Sequence, residues 1–416
     1  MLLISSLKKK TKLIAIASLD SPKDFYIPLE GYRYSMGLVV EVGTHLKKYE
    51  LVAESEGVFP CKIHAPVSGV VKGIVSIDGR SMLHIENDFK ETALPLSPLD
   101  LRELSLSGLT DHLLDRGVQG AGGSQFPTHL KYQVEGKRID TLIFNGVECE
   151  PFLSADFVLM KERYLELFRM AMLLASVLMV NRVVFAIEKQ HKELRNVLLK
   201  CASGLGMELE VRLVPNSYPQ GGELQLIESV TSMKIRKGFI PSDYGVLVTN
   251  IGTLWAMYNA VFEGKPYIER VVTVSGNSCS NLGNFLVRIG TPVAHVLNQT
   301  KNSCDLSSQT VVIGGAMMGK AVDSLDSPIH KGAGGILVLK KNRVLVNNCI
   351  KCGLCVDVCP QHLMPLEFVR HNIANNIEGL DSFNLQDCIE CGACAYVCPS
   401  DVPLMENIFE GKSKLF

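Results

Sequence analysis

Apolar positions change rhythm along the chain, and each rhythm predicts a different kind of structure. Over residues 1–100 they fall in short alternating runs broken by Gly31, Gly37, Gly43, Gly57, Gly69, Gly73 and Gly79. That pattern reads as short strands joined by tight turns. Between 105 and 265 helical spacing alternates with short, wholly apolar runs. Leu101–Arg116, Leu165–Val180, His191–Leu205 and Thr253–Phe262 read as helices; Asp140–Asn145, Arg182–Glu188 and Val246–Asn250 read as buried strands. Strands alternating with helices predict a doubly wound α/β sheet, in which ligands sit at the carboxyl ends of the strands. From 266 to 340 the pattern turns β-rich, at Glu269–Ser275, Phe285–Ile289, Thr310–Ile313 and Gly335–Lys340, with turns at Gly276, Gly290 and Gly314–Gly315. This predicts a small β-grasp-like domain. The expected class is multidomain α/β plus β, divided at 1–100, 101–265, 266–340 and 341–416.

Two apolar stretches are too short for a membrane role. Met170–Val180 is closed by Arg169 and by Asn181–Arg182, and its length covers only about half a hydrocarbon core, so it reads as a core helix. The lysines at 8–10 are followed only by Leu13–Ala17, too short for the apolar region of a secretory signal. Within the first hundred residues, Gly43–Ala53 followed by His64-Ala-Pro-Val-Ser-Gly-Val-Val71 resembles the barrel-sandwich fold of biotinyl and lipoyl carriers. Those carriers present a modified lysine at a hairpin tip, and no such lysine motif is present. The module therefore reads as structural or docking, with His45 and His64 as ordinary strand residues.

Composition adds two exclusions and one strong positive. A net charge of −1 gives no basic excess for binding nucleic acid. Thirteen cysteines are unevenly placed: eight lie between 349 and 398, while Cys61, Cys149, Cys201, Cys279 and Cys304 are scattered singly. Secreted disulfide frameworks spread their cysteines; clustering points to metal in a reducing compartment.

The clustered cysteines form two copies of one template, C-x2-C-x2-C-x3-C-P: Cys349, Cys352, Cys355, Cys359, and Cys388, Cys391, Cys394, Cys398. This is the spacing of two-cluster bacterial ferredoxins, in which three thiolates wrap one [4Fe–4S] cube and the fourth cysteine ligates the other cube. Cys349, Cys352, Cys355 and Cys398 are expected to hold one cluster, and Cys388, Cys391, Cys394 and Cys359 the second. Zinc knuckles, the competing reading, need no third and fourth cysteine followed by proline. The linker Pro360–Asp387 is longer than in a minimal ferredoxin and predicts a helix near Leu366–Asn376, so the tail reads as a helical ferredoxin-like domain with an insertion.

Three loops at predicted strand or helix ends carry unusual chemistry. Gly117–Lys131 is glycine-rich but does not match G-x-G-x-x-G after a strand. Asn145-Gly-Val-Glu-Cys-Glu-Pro151 follows a buried strand and sets two carboxylates around a cysteine. Tyr218-Pro-Gln-Gly-Gly-Glu223 opens a helix, a position suited to an anion. The segment Gly314–Gly319 reads as a tight connection.

Taken in order, these segments resemble the RnfC family, the C component of Rnf membrane complexes, which are ion-pumping ferredoxin:NAD+ oxidoreductases. The resemblance runs over nearly the whole chain: barrel-sandwich module, FPTHLK, NGVECEP, YPQGGE, TNIGT, VVTVSG…VRIGTP, GGAMMG and two ferredoxin runs. The central part is also similar to the flavoprotein subunit of respiratory complex I. The resemblance implies NADH exchanging hydride with bound FMN and single electrons leaving through two [4Fe–4S] clusters, with no side chain needed as acid or base. It implies that Gly120, Gly122, Gly123 and Phe126 pack against flavin, with Lys131 beside it. Asn145, Glu148 and Glu150 fall around flavin and nucleotide, and Tyr218, Gly221, Gly222 and Glu223 on the flavin side. Asn250 and Thr253 lie near the FMN phosphate, and Glu188 meets ribose hydroxyls. Implied partners are the other subunits of the complex, and ferredoxin through one of them, at the cytoplasmic face of the membrane.

The chain departs from the family at three places. Gln125 stands where the glycine loop has glycine, Glu188-Lys-Gln-His191 replaces the usual acidic segment, and the sequence ends at Phe416, before a Lys/Ala-rich extension that many relatives carry. A soluble electron carrier for another reductase and a flavin-free iron–sulfur adapter are the competing functions, the second resting on Gln125.

Overall fold

The computed structural model describes residues 2–31, 34–341 and 346–415. Its centre is a four-stranded, all-parallel sheet in the order Glu210–Val214, Arg182–Glu188, Thr141–Asn145, Val246–Asn250. Both faces are covered, which is why three of these strands read as unbroken apolar runs. Leu142 and Phe144 point to one face, where helices Ala155–Glu162, Tyr164–Leu178, Lys192–Gly204 and Ile251–Glu263 pack. Ile143, Val184 and Val248 point to the other, under helix Glu223–Thr231. Each such buried side chain contributes about 1.5–3 kcal/mol relative to exposure. The helix expected from 101 to 116 is interrupted: Ser105 Oγ accepts from Gly108 N at 3.1 Å and starts a new helix at Leu106.

The N-terminal module packs a four-stranded sheet (Asp24–Pro28, Arg80–Asn87, Gly69–Ile77, His45–Leu46) against a three-stranded one (Gly37–Leu38, Leu51–Ser55, Cys61–His64) around Phe25, Val52, Leu83 and Ile85. Its hairpin tip at Asp78–Gly79 is pinned: the Asp78 carboxylate accepts from Ser324 N at 3.1 Å and from the Ser327 hydroxyl. Burial, then the charges of Lys331 and other cations, pushes His64 down to about 3, so it is a neutral packed residue.

Residues 269–340 build a mixed sheet ordered Gly283–Arg288, Glu269–Ser275, Gly335–Lys340, Gln309–Ile313, Lys320–Ala321, with helix Val293–Gln299 in the connection. The short strand Ile16–Ser18 joins its edge, parallel to Gly283–Arg288. The segment before that strand therefore leaves the barrel-sandwich module and runs over the central domain. The tail is helical: Leu354–Asp357, Pro365–Ile373, Ile377–Ser382, Ala393–Tyr396 and Leu404–Leu415 close around Phe368, Leu380, Leu404 and Ile408.

Candidate functional site

Strand order places the topological switch point between Thr141–Asn145 and Val246–Asn250, the crevice where such sheets bind ligands. Asn145 and Asn250 end these strands side by side in register. Asn250 caps the helix Ile251–Glu263, its Oδ1 accepting from Thr253 N at 3.3 Å. Thr253 Oγ1 in turn accepts from Ala121 N at 2.8 Å, drawing the glycine loop onto the start of that helix. The loop closes on itself through Gly120 N to Phe126 O at 2.9 Å, and the Phe126 ring meets Phe59 edge-on at 5.9 Å. A side chain at Gly122 or Gly123 would project into open space. Two buried cations brace the same loop. Arg270 Nη1 donates to Ala121 O at 2.9 Å, and Lys331 Nζ to Gly117 O at 2.7 Å. Each is 6% exposed, and among the described residues neither forms an ion pair.

Gln125 takes a left-handed backbone, φ 51°, at a cost of roughly 1–2 kcal/mol for a residue with a side chain. Gly332 makes room for it: a Cβ there would lie 2.8 Å from Gln125 Cγ. The glutamine side chain thus lies against the 330–335 segment.

The other two loops interlock at the strand ends. Asn145 Nδ2 donates to Gly221 O at 2.9 Å, and Gly221 must be glycine because a Cβ would come within 2.6 Å of Val147 O. Gly222 immediately precedes the helix that Glu223 opens. Lys131 Nζ donates to Glu223 Oε1 at 2.8 Å and to Val248 O at 2.9 Å. Glu148 accepts from the first-turn amides of Asp156 and Phe157 at 3.1 and 3.0 Å. The Asp156 carboxylate takes Asn250 Nδ2 at 2.5 Å. Burial, then the neighbouring Asp156, pushes Glu148 up to about 7; burial likewise raises Asp156 and Glu150. Glu150 is wrapped by the Gly314–Gly319 segment, accepting from Met317 N and Met318 N at 2.9 Å each.

Glu188 sits away from open space, 4% exposed, with Lys8 Nζ at 3.5 Å and His191 Nε2 at 3.4 Å. Burial works against its charge, but His191 and Lys8 hold its pKa below the usual carboxylate range. Lys8 is itself 2% exposed and donates to Glu148 O. Nothing in the spacing of the lysines at 8–10 marks one of them as buried. Arg270, Lys331 and Asp156 also escape a reading of the sequence, the first two because their partners are backbone carbonyls of a loop distant along the chain.

In the tail, Cys359, Cys388, Cys391 and Cys394 line one pocket. They comprise three cysteines of the second run and the fourth of the first. Burial pushes the thiols of Cys388 and Cys394 up to about 11 and 12, so forming thiolates there calls for a cationic group, as metal binding supplies. Among the described residues no three His, Cys, Asp or Glu side chains converge tightly enough for a single ion. These four thiols instead surround a volume, as a cage-shaped cluster requires. Cys355 lies beside Cys349 and Cys352, both exposed, and Cys398 is half-buried against the tail core. The residues present therefore suit an iron–sulfur cage. Likewise the glycine loop, open over Gly122 and Gly123 and drawn onto the start of the helix at the switch point, leaves room for a flat ring system.

Comparison with known proteins agrees with this layout. Residues 3–88 match the RnfC barrel sandwich hybrid domain, 113–259 the Nuo51 FMN-binding domain, and 348–402 the 4Fe-4S dicluster domain. Proteins named as the C component of an ion-translocating oxidoreductase complex are similar over most of the chain. The one from Haemophilus influenzae (strain PittEE) is 33% identical over 406 residues, covering 94% of this chain and 62% of its own. That from Actinobacillus succinogenes is 34% identical, covering 99% and 60%, and one from Vibrio cholerae serotype O1 is 33% identical, covering 89% and 50%. The chain thus spans about half to three fifths of the length of these curated relatives. Among solved structures, an NAD+-reducing [NiFe]-hydrogenase in the H2-reduced state has a similar fold, with TM-score 0.56 at 18% identity over 77% of this chain and 66% of that one. With the three domains in this order and relatives matching nearly its whole length, the chain is similar throughout to the C component of ion-translocating oxidoreductase complexes.

Proposed function

We propose that the protein is the NADH/FMN electron-transfer subunit of an Rnf-type membrane complex. In this reading it exchanges hydride between NAD(H) and FMN and passes single electrons through two [4Fe–4S] clusters. The other members of the complex couple that flow to ferredoxin and to ion translocation. Bound FMN supplies the conversion between two-electron and one-electron chemistry; the chain supplies placement. The glycine loop, with Gly120, Gly122, Gly123 and Phe126, and the residues Lys131, Asn145, Gly221, Gly222, Glu223, Asn250 and Thr253 would hold the flavin at the switch point, while the Tyr218 side chain, at the start of the flavin-side loop, turns to the tail instead. Glu148 and Glu150 would set the charge on its nucleotide side, whereas Glu188 is engaged by Lys8 and His191 away from open space. The eight tail cysteines would hold the clusters in the two crossed sets. Among the described residues no helix is long and apolar enough to cross a membrane, and we place the protein at the cytoplasmic face, held by its partners.

One observation carries this reading. The loop Tyr218–Glu223 that borders the crevice shares an apolar cluster with Cys391 of the tail and Cys149 of the acidic loop, so the two sites adjoin. We also read residues 266–340 as a β-grasp of the SLBB type. Its support is a strand order with the first and last strands parallel at the centre. The left-handed Gln125 favours a second reading, a flavin-free adapter whose α/β domain only docks partners.

Anaerobic reconstitution, followed by iron and FMN analysis and addition of NADH, separates the two. The first reading expects about eight irons, one FMN per chain and prompt bleaching of the flavin band. The same iron with no flavin retained, even when FMN is supplied, would leave the adapter.

A further inference from the structure

The two cysteine runs share a template but not a position. The loop of the second run is the one docked against the α/β domain, and one side chain makes the junction. Tyr218, 1% exposed, donates its hydroxyl to the carbonyl oxygen of Cys391 at 2.6 Å. Its ring packs with Val358, Cys391 and Ala393, and its backbone pairs on both sides with Leu2, at 2.9 and 2.8 Å. From the same loop, Gly221 accepts from Asn145 at the switch point. A second contact locks the run in place: a Cβ at Gly392 would lie 2.6 Å from Met317 O, and Met317 N is held by Glu150. At the equivalent Gly353 a side chain would meet nothing within 4 Å, and Cys349 and Cys352 are exposed.

We propose that Tyr218 is a positioning residue for the cluster of Cys359, Cys388, Cys391 and Cys394. It fixes that cluster against the flavin-side loop and raises its reduction potential through the Cys391 carbonyl. This makes it the inner cluster, and that of Cys349, Cys352 and Cys355 the outer one. The inference rests on the proposed function above and deepens it. A reduced cluster carries one more negative charge than an oxidised one. A hydrogen bond that draws electron density from a ligating cysteine favours the reduced form, as donors around iron–sulfur and other metal ligands do. Removing the donor shifts the potential of that cluster downward and leaves its neighbour as an internal reference.

The test is a potentiometric titration read by electron paramagnetic resonance on the full chain, anaerobically reconstituted, as wild type and Tyr218→Phe. The expected result is one midpoint moved to a more negative value, the other unchanged, and iron and FMN contents equal to wild type. In a Cys352→Ser background, which lacks the outer cluster, the remaining midpoint shifts by the same amount. Two unmoved midpoints, or both moving together, would overturn the role of Tyr218, because general loosening of the fold moves both. A wild-type chain with no cubane signals defeats the reading of the tail itself, an outcome distinct from failure of Tyr218.

Discussion

The two cysteine runs are nearly the same peptide in backbone and very different in surroundings. Lys351 and Glu390 have φ of 58° and 55°, Gly353 and Gly392 of 81° and 71°, His362 and Asp401 of 54° and 48°. Lys351 N and Glu390 N each reach the sulfur of the first cysteine of their own run, at 3.3 and 3.4 Å. Yet Cys391 and Cys394 are buried at 7% exposure, while Cys349 and Cys352 face outward. The second run also receives donors from outside its loop, Tyr218 to Cys391 O and Lys412 to Cys388 O, each at 2.6 Å. Local spacing sets how a cluster loop is shaped. Distant residues decide whether that loop lies inside or at the surface, and so, in the proposed reading, which cluster is the inner one.

Substitutions paired across the runs sharpen or break this comparison. The largest effect is expected from cysteine: Cys394→Ser and Cys352→Ser should each lower bound iron from about eight to about four. In the cluster-free protein, however, Cys394→Ser places a hydroxyl in the tail core and costs about 1–3 kcal/mol. Cys352→Ser stays within about 0.5 kcal/mol of wild type. Iron analysis and denaturant midpoints read both, and equal midpoints would dissolve the distinction. Next is the glycine pair. Alanine at either position carries the left-handed penalty of roughly 1–2 kcal/mol. Gly392→Ala adds a collision with Met317 O and should cost a further 1–3 kcal/mol or so; urea denaturation measures the gap. Chelation should remove iron in two phases, the outer cluster first, with the slow phase lost in Cys394→Ser and kept in Cys352→Ser. The smallest effect is expected from Lys412→Met, which removes the bond to Cys388 O and the ion pair with Glu390 at 2.7 Å. It should move the inner midpoint in the direction that Tyr218→Phe does, and the outer midpoint not at all.

Much of this is legible in the sequence alone. Asp140–Asn145, Arg182–Glu188 and Val246–Asn250 stand out because strands covered on both faces must be apolar throughout. Their neighbour Glu210–Val214, at one edge of the sheet, escapes notice because Glu210 and Arg212 interrupt its apolar pattern. The helix Ala155–Glu162 escapes too, because it is buried almost all round and shows no amphipathic period. At the site, the three loops are legible from their glycines and carboxylates. What their side chains bind is not: the partners of Glu150, Asn145 and Gln125 come from segments 76 to more than 200 residues away. Lys8 is the sharpest case, a residue of a basic cluster that ends up buried against Glu148 and Glu188.

The most direct test of the inner and outer assignment is an anaerobic titration with NADH, following the flavin band and the cluster resonance together in Cys394→Ser and Cys352→Ser. The account predicts that flavin bleaches in both, that the inner cluster of Cys352→Ser is reduced at the wild-type rate, and that the outer cluster of Cys394→Ser stays oxidised on that time scale. Prompt reduction of the outer cluster without the inner one would contradict it.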